Sequence, residues 1–114
     1  MLAANYNITL DRAADYSFVL TIQNPSLTPV NITGATFEAD IRSTTTKAQA
    51  VEFTATLTSP SSGIVTFSLS KADTKTLRAG EGIYEYDIFM VIGGVTQRLI
   101  YGSVTVRPQF TNDV

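Results

Sequence analysis

Apolar and polar residues alternate with a period of two along most of this chain. In residues 16–23, for example, Tyr16, Phe18 and Leu20 share one face, and polar residues occupy most of the other. Successive side chains of a β-strand point to opposite sides of a sheet, so this alternation is typical of half-buried strands. The same pattern recurs in residues 36–42, 51–57, 64–69, 83–92, 95–101 and 103–107.

Turn-forming residues separate these strands. Residues 24–29 contain two prolines and an asparagine, which predicts a loop. Residues 59–63 predict the turn of a hairpin between the strands on either side. Gly93-Gly94 predicts a second, tighter hairpin because both positions tolerate positive φ. Gly102 indicates a bulge in the last strand.

One segment departs from strand alternation. Ser70 is a candidate helix N-cap, Asp73 follows three residues later, and a glycine ends the segment. We predict one or two helical turns here, with Ala72 and Leu77 directed inward.

Together these elements predict an all-β fold, an immunoglobulin-like antiparallel β-sandwich of about eight strands with one short helical turn. The 114 residues match the commonest size of one domain and suffice to bury a core. We expect residues 1–108 to form this single domain and residues 109–114 to form a short C-terminal tail.

Charge is sparse on this chain. Charged residues make up 16% of the sequence, against roughly 25% in ordinary soluble domains, and serine and threonine supply much of the remaining polarity. Such a surface is buried against a neighbour at little desolvation cost. The net charge is −2 and the basic residues are scattered among acidic ones, so we do not expect nucleic acid as a ligand.

The composition also limits the chemistry. The chain has no histidine and no cysteine, so it lacks disulfides, thiolate nucleophiles and the usual base of a catalytic triad. Glu38 with Asp40, and Glu85 with Asp87, share strand faces and are candidates for acid–base work or Ca²⁺ binding. A solvated strand face with Arg42 or Arg98 as ion-pair partners is the simpler interpretation. We therefore expect no enzymatic activity, no metal and no cofactor.

Sequence signals for export and membrane insertion are missing. The N-terminal residues lack the basic and apolar regions of a signal peptide. The longest apolar run, residues 88–92, is far too short to span a bilayer. We expect a protein that is made in a cytoplasm, is not a membrane protein, and is then assembled into a larger structure.

The strand over residues 83–92 is apolar on both sides. Tyr84 and Tyr86 could form a sugar-stacking platform, but alternating aromatic residues on so apolar a strand more often belong to the core. Phe89 and Val91 lie on the opposite face, which predicts a contact with a neighbouring chain or a covering segment. We predict that Val19, on the outer face of its own strand, belongs to the same candidate interface.

Seven short motifs occur in a defined order along the chain. They are Asp15-Tyr16-Ser17-Phe18, residues 29–35 (Pro-Val-Asn-Ile-Thr-Gly-Ala), 39–42 (Ala-Asp-Ile-Arg), 63–69 (Gly-Ile-Val-Thr-Phe-Ser-Leu), 76–80 (Thr-Leu-Arg-Ala-Gly), 84–88 (Tyr-Glu-Tyr-Asp-Ile) and 99–106 (Leu-Ile-Tyr-Gly-Ser-Val-Thr-Val). The ordered set, over residues 6–107, resembles a family of small bacteriophage proteins encoded among tail and virion structural genes. The chain departs from the family pattern at Glu81, which with a second glycine lengthens the turn before the Tyr-x-Tyr strand.

The resemblance implies a non-enzymatic virion component of immunoglobulin-like fold, with no active-site residues. It leaves open whether the protein belongs to the tail, the baseplate, a fibre attachment or the capsid decoration. Its partners would be other virion proteins, through self-association or a larger tail or capsid protein. The alternative function is a module that binds host-surface carbohydrates or receptors, with residues 43–49 or 24–29 at the ligand.

Overall fold

The strands predicted from the alternation lie in two sheets that pack face to face. The computed structural model describes residues 4–111, so residues 1–3 and residues 112–114 at the end of the predicted tail lie outside the described residues. The described residues form nine strands, a 3-10 turn (Pro60–Ser62) and a short helix, α1 (Lys71–Lys75). The strands are β1 (Ala4–Asn5), β2 (Ile8–Asp11), β3 (Tyr16–Thr21), β4 (Thr36–Ser43), β5 (Gln49–Glu52), β6 (Thr54–Ser59), β7 (Ile64–Leu69), β8 (Gly80–Ile92) and β9 (Val95–Arg107).

The larger sheet has the strand order β1-β9-β8-β4-β5, and β2 also pairs with β9. The smaller sheet has the order β3-β7-β6. This arrangement confirms the predicted immunoglobulin-like sandwich. It differs from a purely antiparallel one in that β1 and β2 run parallel to β9, because the N-terminal segment enters beside the last strand in the same direction.

Aromatic rings fill the space between the sheets. Phe67, on the central strand of the smaller sheet, is fully buried, and its ring stacks on Phe18 with 5.5 Å between centroids. Phe37, from the larger sheet, meets Phe67 edge-on at 5.5 Å. Offset and edge-on contacts are the favourable geometries for aromatic pairs, so this cluster holds the two layers together.

The alternation predicted one strand over residues 51–57, but the structure divides this segment between β5 and β6. The chain passes from the larger sheet to the smaller one at Phe53, which is buried and whose backbone N–H donates to the Ala39 carbonyl at 2.8 Å. Val51 therefore faces Ile41 in the larger sheet, whereas Leu57 faces a residue of the smaller sheet. Alternation does not reveal this crossover because the inner faces of both sheets point into the same core.

The helical turn is confirmed, with one error in its inward face. Ser70 accepts a hydrogen bond from the Asp73 backbone N–H, and the Asp73 carboxylate accepts one from Ser70. Leu77 is buried as predicted, but Ala72 is exposed, and Thr74 is the residue that α1 buries. The Thr74 hydroxyl donates to the Ala14 carbonyl (2.9 Å) and accepts from the Ala14 N–H (3.2 Å). A polar residue thus takes the inward position because its hydroxyl forms hydrogen bonds with the backbone groups of Ala14 in the adjacent loop.

The hairpin between β8 and β9 turns at Gly93-Gly94, as predicted, and both glycines have positive φ. The bulge does not lie at Gly102. The register shifts three residues earlier along β9, at Leu99, since Ile88 faces Ile100 but Phe89 faces Arg98. Gly102 serves another purpose, because a Cβ atom there would collide with the Tyr6 carbonyl. The glycine permits the N-terminal segment to lie directly against β9.

Two tyrosines of β8 connect the core to the surrounding backbone. The Tyr84 hydroxyl accepts a hydrogen bond from the Arg78 N–H at 2.9 Å, which is the contact known as a tyrosine corner in immunoglobulin-like sandwiches. The Tyr86 hydroxyl donates to the Tyr6 carbonyl, and burial raises its pKa. Both side chains are buried, which confirms that they belong to the core rather than to a sugar-stacking platform.

Replacing Thr74 by valine tests the buried hydroxyl. Thr74→Val keeps the shape but leaves the Ala14 amide and carbonyl without their partner, so we expect the free energy of unfolding to fall by about 1–3 kcal/mol. Thr56→Val, at an exposed strand position, is the control and should change it by less than about 0.5 kcal/mol. Urea unfolding of both variants measures the difference, and equal values would contradict the structural role of Thr74.

Candidate interaction surface

The candidate surface is the solvent side of the larger sheet, called here the outer face. On β8 the buried residues alternate with Glu85, Asp87, Phe89 and Val91, which therefore point outward. Residues in register with them on β4 and β9 extend the surface to both sides. The outer face comprises Thr36, Glu38, Asp40, Arg42, Glu85, Asp87, Phe89, Val91, Thr96, Arg98, Tyr101 and Ser103.

In one half of the outer face, the central strand β8 presents two apolar side chains, Phe89 and Val91. Val91 lies between Thr36 on β4 and Thr96 on β9. In the next row Phe89 is partly buried between the longer side chains of Glu38 and Arg98. The structure thus places Phe89 and Val91 side by side on one surface, as the sequence predicted.

Val19 does not belong to this surface. It lies on β3 in the smaller sheet, where Phe18 on the adjacent face packs into the core against Phe67. Val19 therefore points away from the core on the opposite side of the sandwich from Phe89. The period-two pattern identified Val19 correctly as outward-facing, but it could not indicate which sheet its strand joins.

The other half of the outer face carries paired charges. Asp40 and Asp87 lie directly opposite each other on β4 and β8. Arg42 contacts Asp40 at 2.9 Å, and Arg98 contacts Asp87 at 3.5 Å. Two like charges in facing positions repel each other, so the two guanidinium groups stabilise the pair. The predicted ion-pair role of Arg42 and Arg98 is thereby confirmed.

These charges form a network of ion pairs on the protein surface. Lys47 extends the network with a contact of 2.6 Å to Glu85. All the pairs are partly or largely exposed, and exposed pairs contribute only about 0.2–1 kcal/mol each. Within residues 4–111 no cluster of three or more acidic side chains is arranged to hold a metal ion.

An open groove of about 500 Å³ lies over the charged half, lined by residues of β4, β8 and β9 and by the N-terminal segment. Asn5, Asn7 and Tyr101 contribute to its walls. The Arg98 guanidinium lies 4.5 Å above the centre of the Tyr101 ring, so one face of that ring is already covered. Sequence reasoning missed this groove because its walls come from residues far apart in the chain, and only the strand register brings them together.

The fold and this surface define an immunoglobulin-like β-sandwich that presents side chains on a sheet face rather than in an enclosed pocket. The chain belongs to the family of LtfC-like β-sandwich domains, whose family model matches residues 3–107. LtfC is a phage tail fibre-related protein, so the family supports the predicted association with phage. No curated protein matches the sequence significantly.

Three solved structures align with most of this chain at low sequence identity. The N-terminal Ig1-2 module of the Drosophila receptor protein tyrosine phosphatase DLAR aligns at 16% identity with a TM-score of 0.45, over 92% of this chain and 46% of that one. The insect immune protein hemolin aligns at 14% identity with a TM-score of 0.49, over 96% of this chain and 27% of hemolin. Tim-2 aligns at 9% identity with a TM-score of 0.47, over 96% of this chain and 98% of Tim-2. The chain thus spans less than half of the first two proteins.

None of the helices within residues 4–111 has the length and apolar character needed to cross a membrane.

The pKa of Asp87 offers a direct test of the charged half. Burial raises the pKa of this carboxyl above its ordinary value; Arg98 lowers it, and the facing Asp40 raises it. We expect Asp40→Asn to lower the pKa of Asp87 and Arg98→Gln to raise it further, measured by NMR titration of the side-chain carboxyl. An Asp87 pKa that moves in neither variant would contradict the pairing described above.

The same shift predicts how stability depends on pH. Because the folded-state pKa of Asp87 lies above the unfolded one, the folded protein binds this proton more tightly. The contribution of Asp87 is therefore fully present below the unfolded pKa and is lost as the pH rises through the folded pKa. We expect Asp87→Asn to raise the melting temperature at pH 7, with a gain that disappears at acidic pH; a gain that persists there would contradict this assignment.

Proposed function

We propose that this protein is a non-enzymatic structural or assembly component of a bacteriophage particle, acting through protein–protein packing. The observation that carries the proposal is the family match, which extends over residues 3–107 and so takes in almost the whole chain. A family related to a tail-fibre protein favours a place in the tail or at a fibre attachment over the baseplate or the capsid decoration. The partners would be other virion proteins, a second copy of this chain included.

The apolar half of the outer face is the surface that we assign to packing against a larger virion protein. Burying a phenylalanine side chain is worth about 1.5–3 kcal/mol, and Phe89 is only partly covered by its own chain. Val91 and the threonines beside it add area without charge, so a partner covers this region at little desolvation cost. The ion pairs next to it would form a polar rim.

The absence of catalytic residue types supports a non-enzymatic role. The sequence contains neither histidine nor cysteine, and general acid–base or nucleophilic catalysis would have to rely on the carboxylates. On the outer face, Asp40, Glu85 and Asp87 are each engaged with a basic side chain. Their arrangement accounts for surface pairing and requires no substrate, metal or cofactor.

Substitution of Phe89 separates a packing surface from the core. We expect Phe89→Ser to lower the free energy of unfolding by less than about 1.5 kcal/mol while abolishing incorporation into purified particles. Tyr86→Ser opens a core cavity and should cost about 3–5 kcal/mol. Leu27→Ser, at an exposed loop position, is the matched control and should affect neither property. Incorporation is measured by complementing a phage that lacks the gene and detecting the protein in particles.

Two results would overturn this proposal. A protein that never co-purifies with particles is not a virion component. If Phe89→Ser lowers the melting temperature as much as Tyr86→Ser does, Phe89 belongs to the folded core of the chain and not to an interface.

The second candidate function is binding to host-surface carbohydrates or receptors. The groove favours it, since the amide side chains of Asn5 and Asn7 and the carboxylate of Asp87 are groups that hydrogen-bond sugar hydroxyls. The ring of Tyr101 is less suited to sugar stacking because Arg98 already lies over it. A glycan array decides between the two functions. We expect no binding, and binding that Asp87→Asn removes would favour the second.

A further inference from the structure

The strand β3 forms one edge of the smaller sheet, and its outer backbone edge is unpaired among residues 4–111. Its only ladder partner there is β7, with Thr21 facing Ile64 and Val19 facing Thr66. Just beyond the strand, the Ile22 N–H donates to the Gly63 carbonyl on the β7 side. Backbone groups of an antiparallel strand point alternately to its two neighbours. The N–H and C=O groups of Ser17, Val19 and Thr21 therefore point away from β7.

The other edges of the sandwich carry features that discourage strand pairing. β5 has only four residues and contains Glu52, and its register with β4 is irregular. β6 carries a register shift between Leu57 and Ser59. The β1–β2 edge is interrupted between its two short strands and ends at Asp11. Short length, charge and bulges are the means by which natural sheets protect their edges.

β3 has none of these features. Its six residues, Tyr-Ser-Phe-Val-Leu-Thr, include no charge, no proline and no bulge. At its centre Val19 exposes 62% of its surface, and Tyr6, beside the strand, exposes 51%. A shallow apolar groove of about 280 Å³ runs along this edge, lined by Tyr6, Phe18, Val19, Leu20 and Ile100. Unsatisfied backbone groups next to apolar side chains are what an added β-strand requires.

We propose that β3 pairs antiparallel with β3 of a second copy of this chain, in a two-fold symmetric contact centred on Val19. The two three-stranded sheets then join into one six-stranded sheet. This contact uses a surface separate from the outer face, so it does not depend on the function proposed above.

The strand is complementary to itself in this arrangement. Val19 would face Val19 of the second copy, and Ser17 would face Thr21, so no like charges meet. The outward-directed backbone groups at these three positions would form about six hydrogen bonds across the two-fold axis. The facing valines bury the apolar surface that the single chain leaves exposed. An isologous contact of this kind closes into a dimer and does not propagate.

The oligomeric state of the full chain is the first measurement. Light scattering coupled to size exclusion, over a range of protein concentrations, should give a dimer that dissociates on dilution. Val19→Lys places a charge at the edge and should yield a folded monomer, with the melting temperature that the wild-type chain has at concentrations where it is also monomeric. The matched control is Thr56→Lys, which lies in the same cross-strand row but on the opposite edge strand, and it should remain dimeric.

A cysteine variant tests the register without altering the charge. The chain has no native cysteine, so Val19→Cys forms only intermolecular disulfides. We expect rapid crosslinking under mild oxidation at dilute concentration, and at least tenfold slower crosslinking of Thr56→Cys.

Each contrary result overturns the proposal. A wild-type chain that is monomeric at all concentrations means that this edge does not pair with a second copy. If Val19→Lys stays dimeric, or if Thr56→Lys becomes monomeric as well, the copies associate elsewhere. Dissociation by Phe89→Ser but not by Val19→Lys would place self-association on the outer face, which rejects the β3 contact while leaving the proposed function intact.

Discussion

The packing of Phe67 against rings from both sheets is the contact on which the rest of the structure depends. Phe18 approaches it within the smaller sheet, Phe37 approaches it from the larger one, and Phe53 lies at the crossover between them. Because these rings fix which side of each strand faces inward, they also fix which side chains reach solvent. Phe89 points outward because Ile88 and Met90 on either side of it point into the core. Val19 points outward because Phe18 beside it packs on Phe67.

The N-terminal segment completes this framework at the edge of the larger sheet. It lies against β9 only because Gly102 has no side chain to collide with the Tyr6 carbonyl. The Tyr86 hydroxyl then binds the same carbonyl from the core side, and the Asn7 side chain accepts a hydrogen bond from the Ser103 N–H. These contacts position Asn5 and Asn7 beside the charged half of the outer face. The groove there is thus a consequence of how the first strands attach.

The two surfaces of the sandwich have different physical characters. The outer face of the larger sheet combines ion pairs with a small apolar region, which suits contact through side chains. The β3 edge of the smaller sheet offers backbone hydrogen-bonding groups beside apolar side chains, which suits contact through an added strand. Because the two surfaces lie on different sheets, the two contacts that we propose would not exclude one another.

Features that depend on neighbouring residues could be predicted from the sequence alone. Alternation located the inward residues of β3, β4, β7 and β8, Ser70 and Asp73 defined the start of α1, and Gly93-Gly94 defined the hairpin, since each depends on residues close in sequence. Features that depend on residues far apart in the chain became visible only in the folded structure. It placed the crossover at Phe53, gave the inward position on α1 to Thr74, and separated Val19 from Phe89. Period-two alternation states which side of a strand is buried, but the assignment of that strand to one of two sheets depends on hydrogen bonds between segments far apart in the chain.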